Sequence, residues 1–175
     1  DRLGWTPFHI VGHSMGAIAA MRLAAFRPTA SLTLITPTGL GRRINTSFLE
    51  ALARPNSFDH VKSILKGLTA GPNGLSDAAI QGIYVNLGKN RISALAESLA
   101  GASGQAVDMR RDLAALAHEM PVSLILGHRD QIVDWSEALE VSPLISTHHF
   151  PDVGHMPHWE APAEVQAILR RKITP

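Results

Sequence analysis

A chain of 175 residues, 45% apolar and 18% charged, is one domain's worth of polypeptide with enough apolar material for a substantial core. Its formal net charge at pH 7 is only +1, and its basic residues fall in short groups such as Arg42-Arg43, Arg110-Arg111 and Arg170-Arg171-Lys172. That pattern argues against nucleic acid or an anionic membrane as the main partner. The absence of cysteine excludes disulfides, thiolate metal sites and a cysteine nucleophile, and suits a cytoplasmic setting. Neither a signal peptide nor an apolar run of about 18 residues is present.

In chain order, Phe8 to Val11 is a short apolar run that reads as a strand. After a glycine-flanked turn, Ala17 to Phe26 reads as an amphipathic helix stopped before Pro28, and Ser31 to Ile35 as a second strand, which makes a parallel strand–helix–strand unit. From Thr38 to Met120 no convincing strand is seen. Helices are expected at Thr46 to Ala53, Ser57 to Leu68, Ser76 to Leu87, Ile92 to Ala100 and Asp108 to His118. Breaks at Gly71-Pro72-Asn73-Gly74, at Gly88 and at Gly101-Ala102-Ser103-Gly104 separate them. Val122 to Leu126 and Thr147 to Phe150 read as strands, with a short helix at Trp135 to Glu140 between them. A closing helix from Pro162 to Lys172 has proline in its first turn. Residues 1–37 and 121–175 are thus expected to form an α/β core, mainly parallel sheet flanked by helices, with 38–120 as a helical insertion.

The chemistry is concentrated in Gly12-His13-Ser14-Met15-Gly16. A serine between two glycines at a strand-to-helix junction is a nucleophile elbow. The turn is expected to tolerate little more than glycine on either side. It lifts the hydroxyl clear of the backbone at the positive end of a helix, with the Met15 amide poised as an oxyanion donor. A serine hydroxyl is a poor nucleophile unaided, so a histidine and an acid are required. Asp130 follows the strand-like Val122 to Leu126, and His155 follows a glycine after the last strand, in the chain order Ser…Asp…His. Asp134 is a rival acid, but Asp130 stands nearer its strand end. His149 lies within a strand and His158 beyond the loop, so His155 is preferred as base.

His13 and Met156 are read as lining the substrate site, with His13 packed beneath the elbow. Met15 doubles as apolar wall, and Trp135 and Trp159 are expected to pack the closing helices. The group His148-His149…His155…His158 could suggest a metal, but it lacks an HExxH helix or a carboxylate pattern, so no metal is expected.

With these residues in view the chain resembles the α/β-hydrolase family over its whole length. Within the family it is most similar to the hydrolase-like C-terminal domain of dihydrolipoamide acetyltransferase components of acetoin dehydrogenase systems. The carriers of that likeness are Ser31-Leu32-Thr33-Leu34-Ile35-Thr36-Pro37-Thr38-Gly39-Leu40-Gly41, Asp108-Met109-Arg110-Arg111-Asp112-Leu113 and Gly154-His155-Met156-Pro157. The resemblance implies a serine hydrolase or acyl transferase acting on an ester, thioester or related small-molecule carbonyl, without a cofactor, and makes the helical insertion 38–120 a cap over the pocket. The acetoin likeness implies instead acetyl transfer from a lipoyl group to CoA. Family members place several strands before the elbow, so the chain is expected to correspond to the C-terminal part of the fold. One oxyanion donor would then belong to the missing part, and a catalytically silent module, for assembly or for ligand binding without turnover, is the alternative. The strand entering the elbow would also carry an unpaired edge, inviting a homodimer.

Overall fold

A computed structural model describes residues 4, 7–54, 56–71, 74–87, 91–101 and 104–173. Pro72, Asn73, Gly88, Ala102 and Ser103, in the expected breaks, lie outside them. Four strands form one parallel sheet: β1 (Phe8–His13), β2 (Thr29–Ile35), β5 (Val122–Gly127) and β6 (Ser146–Phe150), in the order β1-β2-β5-β6. The pairing sets Ile10 beside Leu32, Leu34 beside Leu124 and Leu126 beside His149. Every residue of β5 is buried, which explains why Val122 to Leu126 is apolar but for Ser123: a strand covered on both faces has no solvent side to mark.

Helix α1 (Gly16–Phe26) and helix α6 (Arg110–Glu119) cover one face, where Met21, Leu32, Leu34, Leu113, Leu116 and Leu124 share a core. Helix α8 (Pro162–Ile173) covers the other, packing Val165 against Ile35 and Ile125. A separate apolar cluster joins α2 (Thr46–Ala53), α3 (Phe58–Leu65), the 3₁₀ turn Lys66–Leu68, α4 (Asp77–Leu87) and α5 (Arg91–Leu99) through Leu49, Val61, Leu65, Ile80 and Leu99. Asn45 caps α2 through the amide of Phe48, and Ser57 caps α3 through that of His60. This cluster lies over the carboxyl ends of β1 and β5, since Met15, Ile132 and Met156 pack into it.

Four elements differ from expectation. Helix α6 does not belong with the cap: its apolar stripe, Leu113 and Leu116, is buried against α1 and the sheet. The middle also holds a small antiparallel pair, β3 (Ala100–Gly101) and β4 (Gly104–Gln105), too short for any alternating pattern to reveal. A further short helix, α7 (Pro157–Glu160), precedes α8. Trp135 packs at the sheet core and stacks on His128, whereas Trp159 is half exposed and packs no helix interior. Among the described residues β1 ends the sheet, with Val11, Leu23 and Phe26 exposed on β1 and α1. No helix among these residues is long and apolar enough to cross a membrane.

Candidate active site

Ser14 follows β1 at the turn into α1, with a φ of 50°, the left-handed region that few non-glycine residues occupy. The turn is held from several sides. The Ser14 amide donates to the Ile35 carbonyl at 3.0 Å, and its carbonyl accepts from the amides of Ala17 and Thr38 and from the Thr38 hydroxyl. Gly12 is required by close approach. A Cβ there would meet the Ala20 Cβ at 2.6 Å and the Ala17 Cα at 2.9 Å, so only glycine lets helix and strand come this near. Gly16 is not required in that way. A Cβ there would meet nothing within 4 Å, which corrects the expectation that both flanking positions are sterically closed.

Asp130 lies just past β5, His155 in the loop after β6, and parallel strands bring both turns to the same end of the sheet as Ser14. Nε2 of His155 is 2.8 Å from the Ser14 Oγ, and its Nδ1 is 2.7 Å from Asp130 Oδ2. The other oxygen, Oδ1, accepts from the amides of Ile132 at 2.7 Å and Val133 at 3.0 Å. The carboxylate facing Nδ1 is an acceptor, so Nδ1 donates to it and the Nε2 lone pair is left for the serine proton. The side chains of His155 and Asp130 are only 2% and 1% exposed, so solvent does not compete for these bonds.

The competing residues are occupied elsewhere. Asp134 caps the 3₁₀ turn Trp135–Glu140, accepting from the Ser136 amide and hydroxyl, and its other oxygen pairs with Arg43 at 2.9 Å. The Ser136 hydrogen bonds hold its carboxyl below the usual range. His149 is exposed, and its Nδ1 meets Nε2 of His128 at 2.8 Å. His158 packs edge-on against His13 with ring centroids 4.7 Å apart, and its burial lowers its pKa. Among the described residues no group of three or more metal-binding side chains is assembled.

His13 lines the site, with its Nε2 2.9 Å from the His155 carbonyl oxygen; burial lowers its pKa to about 4, keeping the ring neutral at ordinary pH. A cavity of about 240 Å³ opens at Ser14. Its walls are apolar, formed by Met15, Ile44, Phe48, Leu52, Leu68, Ile132 and Met156, with Gly16 and Thr38 beside the serine. Met15 stands at the N-cap of α1, so the amide following the nucleophile sits at the positive end of an 11-residue helix.

Two contributors carry no readable sign in the sequence. Thr36 has a φ of 39°, a strained conformation for a β-branched residue that costs on the order of 1–3 kcal/mol. Glu160 bridges cap and floor, its two carboxylate oxygens accepting from the amides of Ala70 at 2.7 Å and Gly154 at 2.9 Å. Gly154 makes that approach possible, because a Cβ there would lie 2.8 Å from the Ala70 nitrogen. The only available signal for Glu160 was its place two residues before Pro162, and for Thr36 the turn that follows a strand.

The model of the alpha/beta hydrolase family matches residues 1–168, and the chain belongs to that family. It is 27% identical over 179 residues to a protein of Cupriavidus necator described as the dihydrolipoyllysine-residue acetyltransferase component of an acetoin cleaving system, covering 99% of this chain and 47% of that one. It is also 27% identical to a 2-hydroxy-6-oxononadienedioate/2-hydroxy-6-oxononatrienedioate hydrolase of a Pseudomonas species, over 91% of this chain and 60% of the relative. The chain thus spans about half the length of the acetoin-system relatives it matches. Among solved structures, a meta-cleavage product hydrolase from Pseudomonas fluorescens superposes with a TM-score of 0.79 at 16% identity, covering 97% of this chain and 65% of the other. A naproxen esterase from Bacillus subtilis superposes with a TM-score of 0.68 at 21% identity, covering 98% and 61%.

Proposed function

We propose that this chain carries the catalytic residues of a serine-dependent acyl-transfer enzyme acting on an ester, thioester or related carbonyl. The Ser14 oxygen attacks the carbonyl carbon as its proton passes to Nε2 of His155. Asp130 orients the imidazole and stabilises the imidazolium without taking a proton itself. The Met15 amide receives the developing oxyanion, and a single donor of this kind is worth about 10²–10³ in rate. The carbon–oxygen or carbon–sulfur bond to the leaving group then breaks, the proton on Nε2 goes to that group, and an acyl-serine remains. Water or another acceptor, deprotonated by His155, releases the acyl group.

The observation that carries this reading is the continuous hydrogen-bonded line from the Ser14 Oγ through His155 to Asp130 at the floor of an apolar cavity. At 240 Å³ that cavity is smaller than the roughly 300–1,000 Å³ of drug-sized sites, which suits a short acyl group. The same small volume, with the likeness to acetoin-system components, favours a second reading in which the acyl group is acetyl, carried by a lipoyl arm and delivered to CoA. A fluorophosphonate probe tests the common core. It is expected to label Ser14 and to leave Ser14→Ala unlabelled; an unlabelled parent chain, or labelling that persists in S14A, rejects it. p-Nitrophenyl esters of increasing chain length then test the pocket, with acetate turned over faster than octanoate.

A further inference from the structure

The carbonyl oxygen of His155 accepts two hydrogen bonds, from the Thr36 hydroxyl at 2.9 Å and from Nε2 of His13 at 2.9 Å. A carbonyl oxygen has two lone pairs, and both are engaged. On the other side of the same residue, the amide of His155 donates to the Leu68 carbonyl at 2.9 Å. The donors come from the ends of two different strands, His13 closing β1 and Thr36 following β2, while His155 itself sits in a loop after β6. Thr36 is 2% exposed, and its own amide is tied to the Ile125 carbonyl at 2.9 Å. Glycine would adopt a φ of 39° without strain, so the side chain here needs a reason, and its hydroxyl donates to the His155 carbonyl oxygen.

We propose that Thr36 and His13 are positioning residues for the acyl-transfer reaction. Together they clamp the backbone of the general base to the sheet, so that its imidazole stays within reach of the Ser14 oxygen. The assignment rests on the reading of Ser14 and His155 given above. Neither residue touches the reacting atoms through this bond; both fix where the His155 main chain lies, and the His13 ring also packs against the His155 ring, with centroids 5.1 Å apart. Loops are the mobile parts of such a scaffold, and a displacement of about 1 Å between reacting groups costs on the order of 100-fold in rate. Burial keeps the His13 ring neutral, and the carbonyl acceptor facing Nε2 selects the tautomer that carries its proton there.

The test compares Thr36→Val, Thr36→Ser, His13→Phe and the parent chain by the second-order rate of fluorophosphonate labelling across pH, at a temperature where each is folded by circular dichroism. Thr36→Val keeps the shape and removes the donor, and is expected to label 10- to 100-fold more slowly. Thr36→Ser restores the hydroxyl and is expected to recover most of the rate. His13→Phe keeps a ring of similar size without the donor, and should slow labelling by a similar factor; it decides the matter should Thr36→Val fail to fold. A merely structural role would lower the melting temperature and leave the labelling rate of the folded protein unchanged. Parental rates and pH profiles in both Thr36→Val and His13→Phe, in a chain whose Ser14 does label, overturn the clamp alone. A parent chain that does not label overturns the catalytic reading, and the clamp with it.

Discussion

Replacing Asp130 by asparagine changes one atom, and the structure dictates which way round the new side chain sits. Oδ1 of Asp130 accepts from the amides of Ile132 and Val133. Turning the asparagine NH₂ toward those amides would strand two buried donors, at roughly 1–3 kcal/mol each. The amide oxygen therefore stays where Oδ1 is, and the NH₂ points at Nδ1 of His155. The imidazole can meet that donor only as an acceptor, which forces its proton onto Nε2, the nitrogen 2.8 Å from the Ser14 oxygen. The nucleophile then faces a donor and has nowhere to lose its proton. The equivalent tautomer trap in a serine protease costs about 10⁴ in kcat, and about 5 kcal/mol of transition-state stabilisation is therefore expected here. Fluorophosphonate labelling of Ser14 and hydrolysis of a short p-nitrophenyl ester should both fall by that order while the circular dichroism melt moves little. Labelling of Asp130→Asn within tenfold of the parent refutes the reasoning. Asp134→Asn is the matched control: it disturbs only a turn cap and an exposed pairing with Arg43, and should label at close to the parental rate.

The two glycines of the elbow should part company. Gly12→Ala drives a methyl group into Ala20 and the Ala17 backbone, for a loss of about 1–3 kcal/mol in urea unfolding, whereas Gly16→Ala should melt near the parent. Equal destabilisation of the two would contradict the geometry. Burial lowers the His13 pKa from 6.5 to about 4, so between those values the unfolded chain binds more protons than the folded one. Stability is accordingly complete above pH 6.5 and declines toward pH 4, by at most about 3 kcal/mol from this group. His13→Gln should flatten that part of the urea-midpoint-versus-pH curve, and an unchanged slope would show that His13 is not its source. Among the described residues no strand pairs with the outer edge of β1, beside Val11, Leu23 and Phe26 at 50%, 45% and 83% exposure, and a second copy of the chain is expected to pair there. Light scattering should then report twice the monomer mass, and a monodisperse monomer at micromolar concentration rejects the pairing.

What could be read from the residues was what their own types demand. Val122 to Leu126, apolar but for Ser123, announces a strand buried on both faces, and β1 and β2 lie on comparable runs, whereas β6 is a largely polar and mostly exposed strand. Ser14, Asp130 and His155 were legible as a set because serine chemistry needs the other two and each follows a strand, and the fold draws them within hydrogen-bonding distance. Helix α6 shows where that logic stops. Its amphipathic stripe says that Leu113 and Leu116 are buried, but not whether the cap or the sheet buries them. The β3–β4 pair has two residues on each side, fewer than any alternation needs to become visible. Thr36 and Glu160 were silent because one acts through a carbonyl oxygen and the other through amide groups, and main-chain atoms are the same in every residue.

The tether between cap and floor bears on how a reactant gets in. The Leu68 carbonyl and the Ala70 amide are knotted to the loop that bears His155, one through the histidine's own amide and the other through Glu160. At that point roof and imidazole are a single mechanical body, and prying the roof upward there pulls the imidazole out of line. A reactant that lifted the cap at this point would therefore disarm the base it needs.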